Sequence, residues 1–599
     1  MSYFESNLAV LQERFPNTVN ILNQFEQNKE NTATPVLEPL EKDQDWLNAV
    51  KGSVGDMNII FVHGFGRGIG LADLIEMYPD RYFIVYEPNA SSFYTVMQQY
   101  ELDELLKWPK ILWFSIGEFQ LKMLFNRICT YMNEELAFVA LRHYLENGMQ
   151  ELQKLREDFI DYRNLFESNR STEKLFQKTW LTNSVNQLAE MIHSPSIFEL
   201  AGSLKGSTAV IVASGPSLEQ DIEWIKKFLP HALVISAGSS IQALVKYGIK
   251  PHISTVMDGG EINEDIFSME GTLDSSLFYV SSAYPISKRK LDDSFYSIVQ
   301  NDVISKYLLG NSNENFEILP TPTVTGTAIQ VATLLGANKI ILTGQDLSFQ
   351  NDKFYTAGIE HAYGPHVDQI VQQSKHYVKN VFGEYNRTTN AFLMMKDSLE
   401  SLISNIPSVN FINATRGGAE ILGTSWKSAE EVYEEIKNQS IQENVIRELI
   451  QHRNQVNRSE KSKETLKVLE QKIEKVLSES LEVQGELRQL KRQIDKLPEL
   501  SRNKVLKAWK SLEDIESAWA KVVAREWFNP IFETVLSDQL NNFDRELPKI
   551  IVETEIRKKA TLVYEHLGNL VSGISAELPW VQQILQDGVV EVHRFNRKG

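Results

Sequence analysis

Between residues 208 and 346, short apolar segments alternate with segments of helical periodicity, and this alternation restricts the fold more than any other feature. The segments are TAVIVAS (208–214), ALVISAG (232–238), HISTVMD (252–258), LFYVSSA (277–283) and KIILTGQD (339–346). Short apolar runs that end in Gly, Ser or Asp are typical of buried parallel strands. The sequence therefore predicts an α/β domain with a doubly wound, mostly parallel sheet over residues 166–425.

Residues 1–165 carry a shorter pattern of the same kind. NIIFV (58–62) leads into the glycine-rich HGFGRGIG (63–70), and YFIVYEP (82–88) follows with Glu87 near its end. This order is typical of a Rossmann-like unit. Because Ile69 replaces the third glycine of the fingerprint, a dinucleotide site, a methyltransferase-like domain and a vestigial nucleotide fold stay open. Glycines that serve only a tight turn are a further alternative.

Residues 426–599 are predicted to be almost entirely helical. Apolar residues recur there at spacings of three and four over more than four heptads, with Ser480 as the interruption, and we expect this long helix to end at Pro498. The apolar seam either packs inside a bundle of this region or joins two copies in a dimer. The seam residues are Leu466, Leu469, Ile473, Val476, Val483, Leu487, Leu490, Ile494 and Leu497.

Composition limits the class of function. Lys and Arg number 61 against 79 Asp and Glu, and the net charge of −18 opposes broad affinity for nucleic acid or anionic membrane. The single cysteine, Cys129, excludes a disulfide scaffold and a multi-cysteine metal site. The N-terminus does not resemble a signal peptide, and no apolar stretch has the length of a membrane helix. We therefore expect a cytoplasmic protein with no membrane span and no nucleic-acid partner.

The first strand of the central sheet ends in the turn Ser214-Gly215-Pro216-Ser217. Gly215 permits close approach of the backbone, Pro216 fixes the turn, and Ser217 can cap the next helix together with Asp221. Since free amides at a helix start bind phosphate, we predict contacts to the phosphate or ribose of a nucleotide. A well-capped turn without a ligand is the alternative.

Other strand ends add hydroxyls and an acid to the same edge of the sheet. The second strand ends at Ser236 and Gly238, and the third ends at Asp258, which suits a ribose hydroxyl or a metal but is equally typical of a turn. Thr325 and Gly326 stand at a further helix start, where a second anion contact is expected.

The loop after the last of these strands collects Tyr355, His361, Tyr363 and His366. Histidine is the side chain best suited to act as a general base near neutral pH, so this loop is a candidate for catalysis. The sequence contains no Walker lysine motif, HExxH, CxxC or GxSxG. P-loop phosphate chemistry and zinc hydrolysis are therefore not expected.

In their order along the chain, three segments resemble the central domain of the motility-associated factor (Maf) flagellin glycosyltransferases. They are VIVASGPSL (210–218), ISAGSSIQALVKYGIKPHISTVMDGG (235–260) and TVTGTAIQVATLLGANKIILTGQDLSF (323–349). WLTNSVNQLAEMI (180–192) and YEPNASSF (86–93) fit the same family. The resemblance covers roughly residues 50–425, and a helical C-terminal region is expected in this family.

That central domain is similar in turn to bacterial sialyltransferases that use a CMP-activated sugar. The resemblance implies that residues 214–217 contact CMP and that the turn Thr325-Gly326 contacts the nucleotide. It also matches the strand ending in Asp346 to a Gly-x-Asp motif of those enzymes, which makes Asp346 a candidate catalytic residue. The asparagines that they use at the first strand end are absent, because this chain has Ala213 and Ser214 there.

The same resemblance makes Tyr355 and Tyr363 candidates for contacts to the leaving phosphate and His361 a candidate base. The implied reaction transfers a nonulosonic acid, such as pseudaminic or legionaminic acid, from its CMP donor to Ser or Thr hydroxyls of flagellin, for flagellar assembly and motility. No cofactor and no metal are implied, and the helical region would hold the flagellin.

Two other functions stay open. The same superfamily includes archaeal-type hydroxymethylpterin diphosphokinases, which are shorter and would use ATP with magnesium, held by Asp258 and Asp346. A flagellin chaperone whose nucleotide fold has decayed is the non-catalytic alternative, and the long heptad helix suits it.

Overall fold

The computed structural model describes residues 2–27, 42–132, 135–310, 317–357, 359, 365–457 and 461–598. The chain forms two compact units, Met1–Thr172 and Glu173–Gly599, so the large sheet and the C-terminal helices share the second unit. The sequence-based division into 1–165, 166–425 and 426–599 stays a prediction.

The first unit contains a parallel sheet in the order β3-β2-β1-β4. Its strands are β1 (Ile59–His63), β2 (Tyr82–Glu87), β3 (Ile111–Ile116) and β4 (Leu136–Ala140). Its helices are α1 (Tyr3–Arg14), α2 (Pro16–Gln27), α3 (Gln44–Val54), α4 (Ile69–Met77), α5 (Ala90–Gln99), α6 (Asp103–Leu106), α7 (Gly117–Tyr131), α8 (Arg142–Asn147) and the first part of α9 (Met149–His193). The Rossmann-like order of strand, glycine turn, helix and strand is therefore present.

The second unit contains a large parallel sheet, in the order β10-β9-β8-β7-β6-β5-β11-β14-β15. Its strands are β5 (Thr208–Val212), β6 (Leu233–Ala237), β7 (Ile253–Val256), β8 (Ser276–Val280), β9 (Ser294–Val299), β10 (Glu317–Ile318), β11 (Lys339–Thr343), β14 (Asn410–Asn413) and β15 (Ser425–Trp426). A separate antiparallel hairpin pairs β12 (His376–Lys379) with β13 (Tyr385–Thr388). The predicted α/β class and parallel sheet are confirmed.

Successive side chains of each strand point to opposite sides of this sheet, so both of its faces are apolar. Helices cover both faces. Along β5, Ala209 and Ile211 join one apolar cluster, and Val210 and Val212 join another. The helices of the sheet region are α10 (Leu218–Phe228), α11 (Ser240–Lys246), α12 (Ile262–Ile266), α13 (Val303–Leu309), α14 (Val324–Leu335), α15 (Pro365–Gln373), α16 (Asn390–Ser404) and α17 (Ala429–Ile436).

The C-terminal region is a bundle of helices. These are α18 (Val445–Asn457), α19 (Lys461–Asn503), α20 (Val505–Val523), α21 (Phe528–Val535), α22 (Ser537–Val552), α23 (Ile556–Leu562) and α24 (Gly568–Lys598), with a π-helical turn at Val563–Leu567. The nine seam residues of α19 are all buried, and α19 packs along α24 and α20 of the same chain. The structure thus shows the intramolecular alternative for the seam.

The polar interruption of the seam has a partner on the facing helix. Ser480 is completely buried, its hydroxyl donates to the carbonyl of Leu477 (2.7 Å), and it accepts from the side-chain amide of Gln582 on α24 (3.2 Å). A paired polar group in an apolar seam fixes the register of the two helices.

The predicted end of the long helix at Pro498 is wrong, because α19 continues through this proline to Asn503. Proline removes one backbone hydrogen bond from a helix. The residues around it are nevertheless packed, since Leu497 and Ser501 are both buried. Tertiary packing therefore outweighs the local preference at this position.

Candidate functional site

The order of the large sheet reverses between β5 and β11, which makes their carboxyl ends the edges of a crevice. The two turns that follow are bonded to each other, since the amide of Ala213 donates to Thr343 (2.9 Å) and that of Gly215 to Gly344 (2.8 Å). Glycine is required in both turns. A Cβ on Gly344 would lie 2.4 Å from the carbonyl oxygen of Ala213, and one on Gly215 would lie 2.0 Å from a carboxylate oxygen of Asp346.

The carboxylate of Asp346, in the turn after β11, binds Ser217 in the neighbouring turn before α10. Its Oδ2 accepts from the amide (3.0 Å) and the hydroxyl (2.9 Å) of Ser217, and its Oδ1 accepts from the side-chain amide of Gln350. Burial raises the pKa of Asp346 to about 7. The prediction that Ser217 caps α10 is wrong, because its hydroxyl is directed to Asp346 instead. The amides of Gly215 and Ser217 are therefore occupied by acceptors of the protein.

A cavity of about 430 Å³ opens at this reversal point. Strand ends from β5, β6, β7 and β11 line it, together with the start of α14 and residues 354–355. Of the predicted site residues, those on its wall are Ser214, Gly215, Gly238, Asp258, Thr325, Asp346 and Tyr355.

Four predicted binding residues are not on the wall: Pro216, Ser217, Ser236 and Gly326. Ser236 is completely buried and its hydroxyl pairs with that of Ser240 (2.9 Å), so it lies within the sheet and helix packing. Gly326 packs closely against Thr321, since a Cβ there would lie 2.8 Å from the Cβ of Thr321.

The start of α14 is the element best suited to hold an anion. The Thr323 hydroxyl accepts from the amide of Gly326 (3.0 Å), whereas the amides of Val324 and Thr325 have no acceptor within the part of the chain that the structure describes. Both residues line the cavity. First-turn amides carry the positive end of the helix dipole, which favours a phosphate. The Thr325 hydroxyl is oriented by Gln345, whose Oε1 accepts from it at 2.5 Å.

Hydroxyls and backbone contacts fix another part of the wall, around Ser214. The Ser239 hydroxyl donates to that of Ser214 (3.2 Å), and the amide of Thr356 donates to the Ser214 carbonyl (3.0 Å). Segment 353–357 is also held on α10 through Glu219, which accepts from the amide of Ala357 (2.8 Å). This segment places Tyr355 on the cavity wall.

Asp258 and Tyr355 face the cavity with raised pKa values. The main chain of Asp258 is fixed because its carbonyl accepts from Asn263 Nδ2 (2.8 Å) and from the amide of Tyr284 (2.9 Å). Its side chain is open to the cavity, but the protein that surrounds the cavity raises the pKa of the carboxyl by desolvation. Burial, with a smaller contribution from the charge of Asp258, raises the pKa of Tyr355. Tyr355 therefore keeps its hydroxyl proton at neutral pH.

A smaller cavity of about 200 Å³ adjoins the first, and Met257 and Asp258 line both. Trp180 of α9 lies on its wall and packs so closely that a Cβ on Gly259 would be 2.7 Å from the indole. Met257 and Trp180 were not predicted from the sequence as residues of this site. The position of Met257 directly after β7 is a signal that could have found it, whereas Trp180 lies within a long helix and has no such signal.

His361 and Tyr363 lie outside the described residues, so the predicted base and the second tyrosine stay predictions. Within the described residues, no group of three or more His, Cys, Asp or Glu side chains is arranged to hold a metal ion. None of the described helices is long and apolar enough to cross a membrane.

The sheet order and the cavity define a doubly wound α/β protein with a candidate ligand site at the reversal point. Residues 182–352 match a family model described as MptE-like, 6-hydroxymethylpterin diphosphokinase MptE-like. A comparison with curated proteins gave no match.

The whole chain is similar to a solved structure, the MAf glycosyltransferase from Magnetospirillum magneticum AMB-1. The TM-score is 0.55 at 15% sequence identity, and the alignment covers 98% of this chain and 99% of that one. At this identity the likeness shows the fold, and it extends to the N-terminal unit and the C-terminal helices. The resemblance to the Maf glycosyltransferases that the sequence indicated is therefore confirmed for the fold.

Proposed function

We propose that the protein is a glycosyltransferase that moves a nonulosonic acid, such as pseudaminic or legionaminic acid, from a CMP-activated donor to Ser or Thr hydroxyls of flagellin. The observation that carries the proposal is the cavity of about 430 Å³ at the sheet reversal, whose wall contains Ser214 together with Val324 and Thr325, two residues whose amides have no acceptor among the described residues. The full-length fold similarity to a Maf glycosyltransferase supports the class of enzyme.

Donor binding depends on local groups. The net charge of −18 opposes an anionic ligand at long range, although salt screens this repulsion. We propose that the phosphate of CMP binds at the amides of Val324 and Thr325, and its ribose at the paired hydroxyls of Ser214 and Ser239. Asp346 acts as a positioning residue, since its carboxylate is bound to Ser217 and Gln350.

In the transfer step, the acceptor hydroxyl oxygen bonds to the anomeric carbon of the sugar as the bond from that carbon to the CMP phosphate oxygen breaks. CMP leaves with the electron pair, and the hydroxyl proton passes to the base, for which we propose His361. The transition state resembles an oxocarbenium ion. Tyr355 and Tyr363 donate hydrogen bonds to the departing phosphate, and the raised pKa of Tyr355 keeps its proton available.

We place the flagellin on the C-terminal helices. Two pairs of adjacent apolar residues are exposed there, Val505 with Leu506 and Ile551 with Val552. Exposed apolar side chains are suitable contacts for a protein partner. This assignment rests on the glycosyltransferase proposal and would fail with it.

The diphosphokinase is the second candidate, because the MptE-like family model matches residues 182–352. It would need Asp258 and Asp346 to hold magnesium. The carboxylate of Asp346 is, however, buried and already accepts hydrogen bonds from Ser217 and Gln350. The family model also leaves the N-terminal unit and the C-terminal bundle without a role, so we prefer the glycosyltransferase.

The test is to incubate the full chain with unmodified flagellin and CMP-nonulosonic acids and to weigh the flagellin by intact-mass spectrometry. A mass gain of one sugar residue without added metal is expected. Thr325→Val removes the hydroxyl at the cavity and should reduce the gain at least tenfold. Thr333→Val, on the same helix but away from the cavity, is the matched control and should leave it unchanged.

Two outcomes would overturn the proposal. Magnesium-dependent release of AMP from ATP in the presence of hydroxymethylpterin, without a mass gain of flagellin, would assign the diphosphokinase function. Binding of flagellin without a mass gain and without AMP release would assign the chaperone function.

A further inference from the structure

The N-terminal unit contains a cavity of its own, about 970 Å³ in volume. It lies at the carboxyl edge of the small parallel sheet, because its wall includes His63 at the end of β1, Asn89 just after β2 and Gly117 just after β3. This edge is where open α/β sheets bind ligands. Helix α8 contributes Tyr144 and Asn147 to the wall.

The glycine turn beside this cavity is closed to phosphate. Glu87 is buried, and its carboxylate accepts from the amides of Phe65 (2.7 Å), Gly66 (3.4 Å) and Asn89 (2.8 Å) and from the hydroxyl of Tyr144 (2.7 Å). The protein's own carboxylate therefore takes the amides that would hold the pyrophosphate of a dinucleotide. A ligand of the cavity does not bind through this turn.

His63 is the observation that points to a ligand. Its side chain is only 3% exposed, it lines the cavity, and its Nδ1 is buried without a hydrogen-bond partner in the described structure. Burial lowers the pKa of His63 to about 4, so the imidazole is neutral and offers one donor and one acceptor. A buried polar atom without a partner is unfavourable, and a ligand hydroxyl that reached this nitrogen would satisfy it.

The charges on the wall select an uncharged ligand. Glu118 and Glu151 contribute carboxylates, and no Lys or Arg of the described residues lines the cavity. The amide side chains of Asn17, Asn89 and Asn147 also line the cavity. The Asn89 oxygen already accepts from the amide of Ser92 (2.9 Å) and the Asn147 nitrogen already donates to the carbonyl of His143 (3.1 Å), so the Asn89 nitrogen and the Asn147 oxygen are the atoms offered to a ligand. An anionic ligand would be repelled, whereas hydroxyl groups can donate to the carboxylates and pair with the amides.

Part of the wall is apolar. Ile21, Pro88 and Met123 line the cavity, and the ring of Tyr144 stands edge-on to His63 at 4.7 Å between centroids. A saccharide ring combines a rim of hydroxyls with apolar C–H faces and matches this mixture. A purely apolar ligand would leave the polar groups of the wall without hydrogen-bond partners.

We infer that this cavity binds an uncharged saccharide, whose hydroxyls pair with His63, Glu118 and the asparagine amides. The site is separate from the proposed donor cavity and does not depend on the glycosyltransferase proposal. Its ligand is defined by neutral charge and adjacent hydroxyls, which distinguishes it from a CMP-sugar.

The experiment uses the full chain and saturation-transfer difference NMR with a panel of methyl glycosides of neutral hexoses and N-acetylhexosamines. At least one glycoside should receive transfer, and CMP should not compete with it. His63→Gln and Glu118→Gln should each weaken its binding at least tenfold. Glu157→Gln, an exposed change on α9 that lies away from the cavity wall, is the matched control and should have no effect.

The two variants differ in how strongly they can disturb folding. His63 is buried, so His63→Gln can disturb folding, but Glu118 is exposed and Glu118→Gln should leave the circular dichroism spectrum unchanged. Lack of transfer to every glycoside would overturn the inference. Unchanged binding by Glu118→Gln, or displacement of the glycoside by ADP or S-adenosylmethionine, would also overturn it.

Discussion

Ser217 and Asp346 are bonded twice, although they are 129 positions apart, because Asp346 Oδ2 accepts both the amide and the hydroxyl of Ser217. A carboxylate from the end of β11 thus fills the anion position at the start of α10. This pairing locks the two turns at the sheet reversal together. The anion position that stays available to a ligand is at the start of α14.

Asp346→Asn tests this lock. The variant replaces one acceptor oxygen with an NH₂ donor, which must face either Ser217 or Gln350, both of which already donate. We expect a loss of stability of about 1–3 kcal/mol and weaker CMP binding. Thermal unfolding and titration calorimetry with CMP measure the two effects. Asp265→Asn, at an exposed position, is the control, and equal behaviour of the two variants would refute the lock.

Gly215→Ala tests the close approach of the turns. The added Cβ would lie 2.0 Å from Asp346 Oδ2 and 2.6 Å from the carbonyl oxygen of Gly344, so the turn must move. We expect CMP binding to fall at least tenfold in calorimetry, together with a lower melting temperature. Gly260→Ala is the matched control, because its Cβ would meet nothing closer than 3.9 Å. CMP binding by Gly215→Ala at the level of this control would contradict the prediction.

His361→Ala tests the proposed base. Loss of the imidazole should abolish transfer of the sugar to flagellin, because no group would accept the hydroxyl proton. CMP binding should be unchanged, since its contacts are placed on other residues. Mass spectrometry of flagellin and calorimetry with CMP separate the two effects, and His376→Ala, at an exposed position on β12, is the control. Unchanged turnover would remove His361 as the base.

Five strands of the large sheet, β5 to β8 and β11, were predictable because burial on both faces leaves continuous apolar runs in the sequence, whereas β9, β10, β14 and β15 were not predicted. The cavity at their ends was predictable for the same reason, since the carboxyl ends of parallel strands share one edge. The predicted residues that reach it, such as Ser214, Asp258 and Thr325, come directly after strands or at a helix start.

The remaining details depend on contacts distant in sequence. The direction of the Ser217 hydroxyl is set by Asp346, and no local pattern shows that pairing. Continuation of α19 past Pro498 is set by packing on other helices, against local propensity. Closure of the glycine turn by Glu87 similarly requires the three-dimensional position of β2 beside β1.

Glu190 of α9 makes stability depend on pH. It is completely buried, accepts from the Ser287 hydroxyl (2.8 Å) and lies 3.7 Å from the Lys288 ammonium; burial, with a smaller effect of Glu591, raises its pKa to about 7. Between pH 4.5 and 7 the folded state retains this proton while the unfolded state loses it, so the stability contribution falls as pH rises.

Glu190→Gln removes this dependence. As the pH rises from 4.5 to 7, the free energy of unfolding of the variant should increase by about 3 kcal/mol relative to that of the unmodified protein. Above pH 7 this difference should stay constant. Melting temperatures measured across this range report the change. Glu474→Gln on the exposed side of α19 is the control, and its curve should run parallel to that of the unmodified protein. A parallel curve for Glu190→Gln would contradict the prediction.

Leu487→Ala tests the seam of α19. Leu487 is completely buried within the chain's own bundle, so truncation should cost about 2–5 kcal/mol through lost burial and a residual cavity. Leu506→Ala is the matched control, since this leucine is 86% exposed and its truncation should change stability by no more than about 0.5 kcal/mol. Denaturant unfolding followed by circular dichroism measures both. Equal effects would contradict an internal seam, because a leucine that faces solvent in the single chain loses little on truncation.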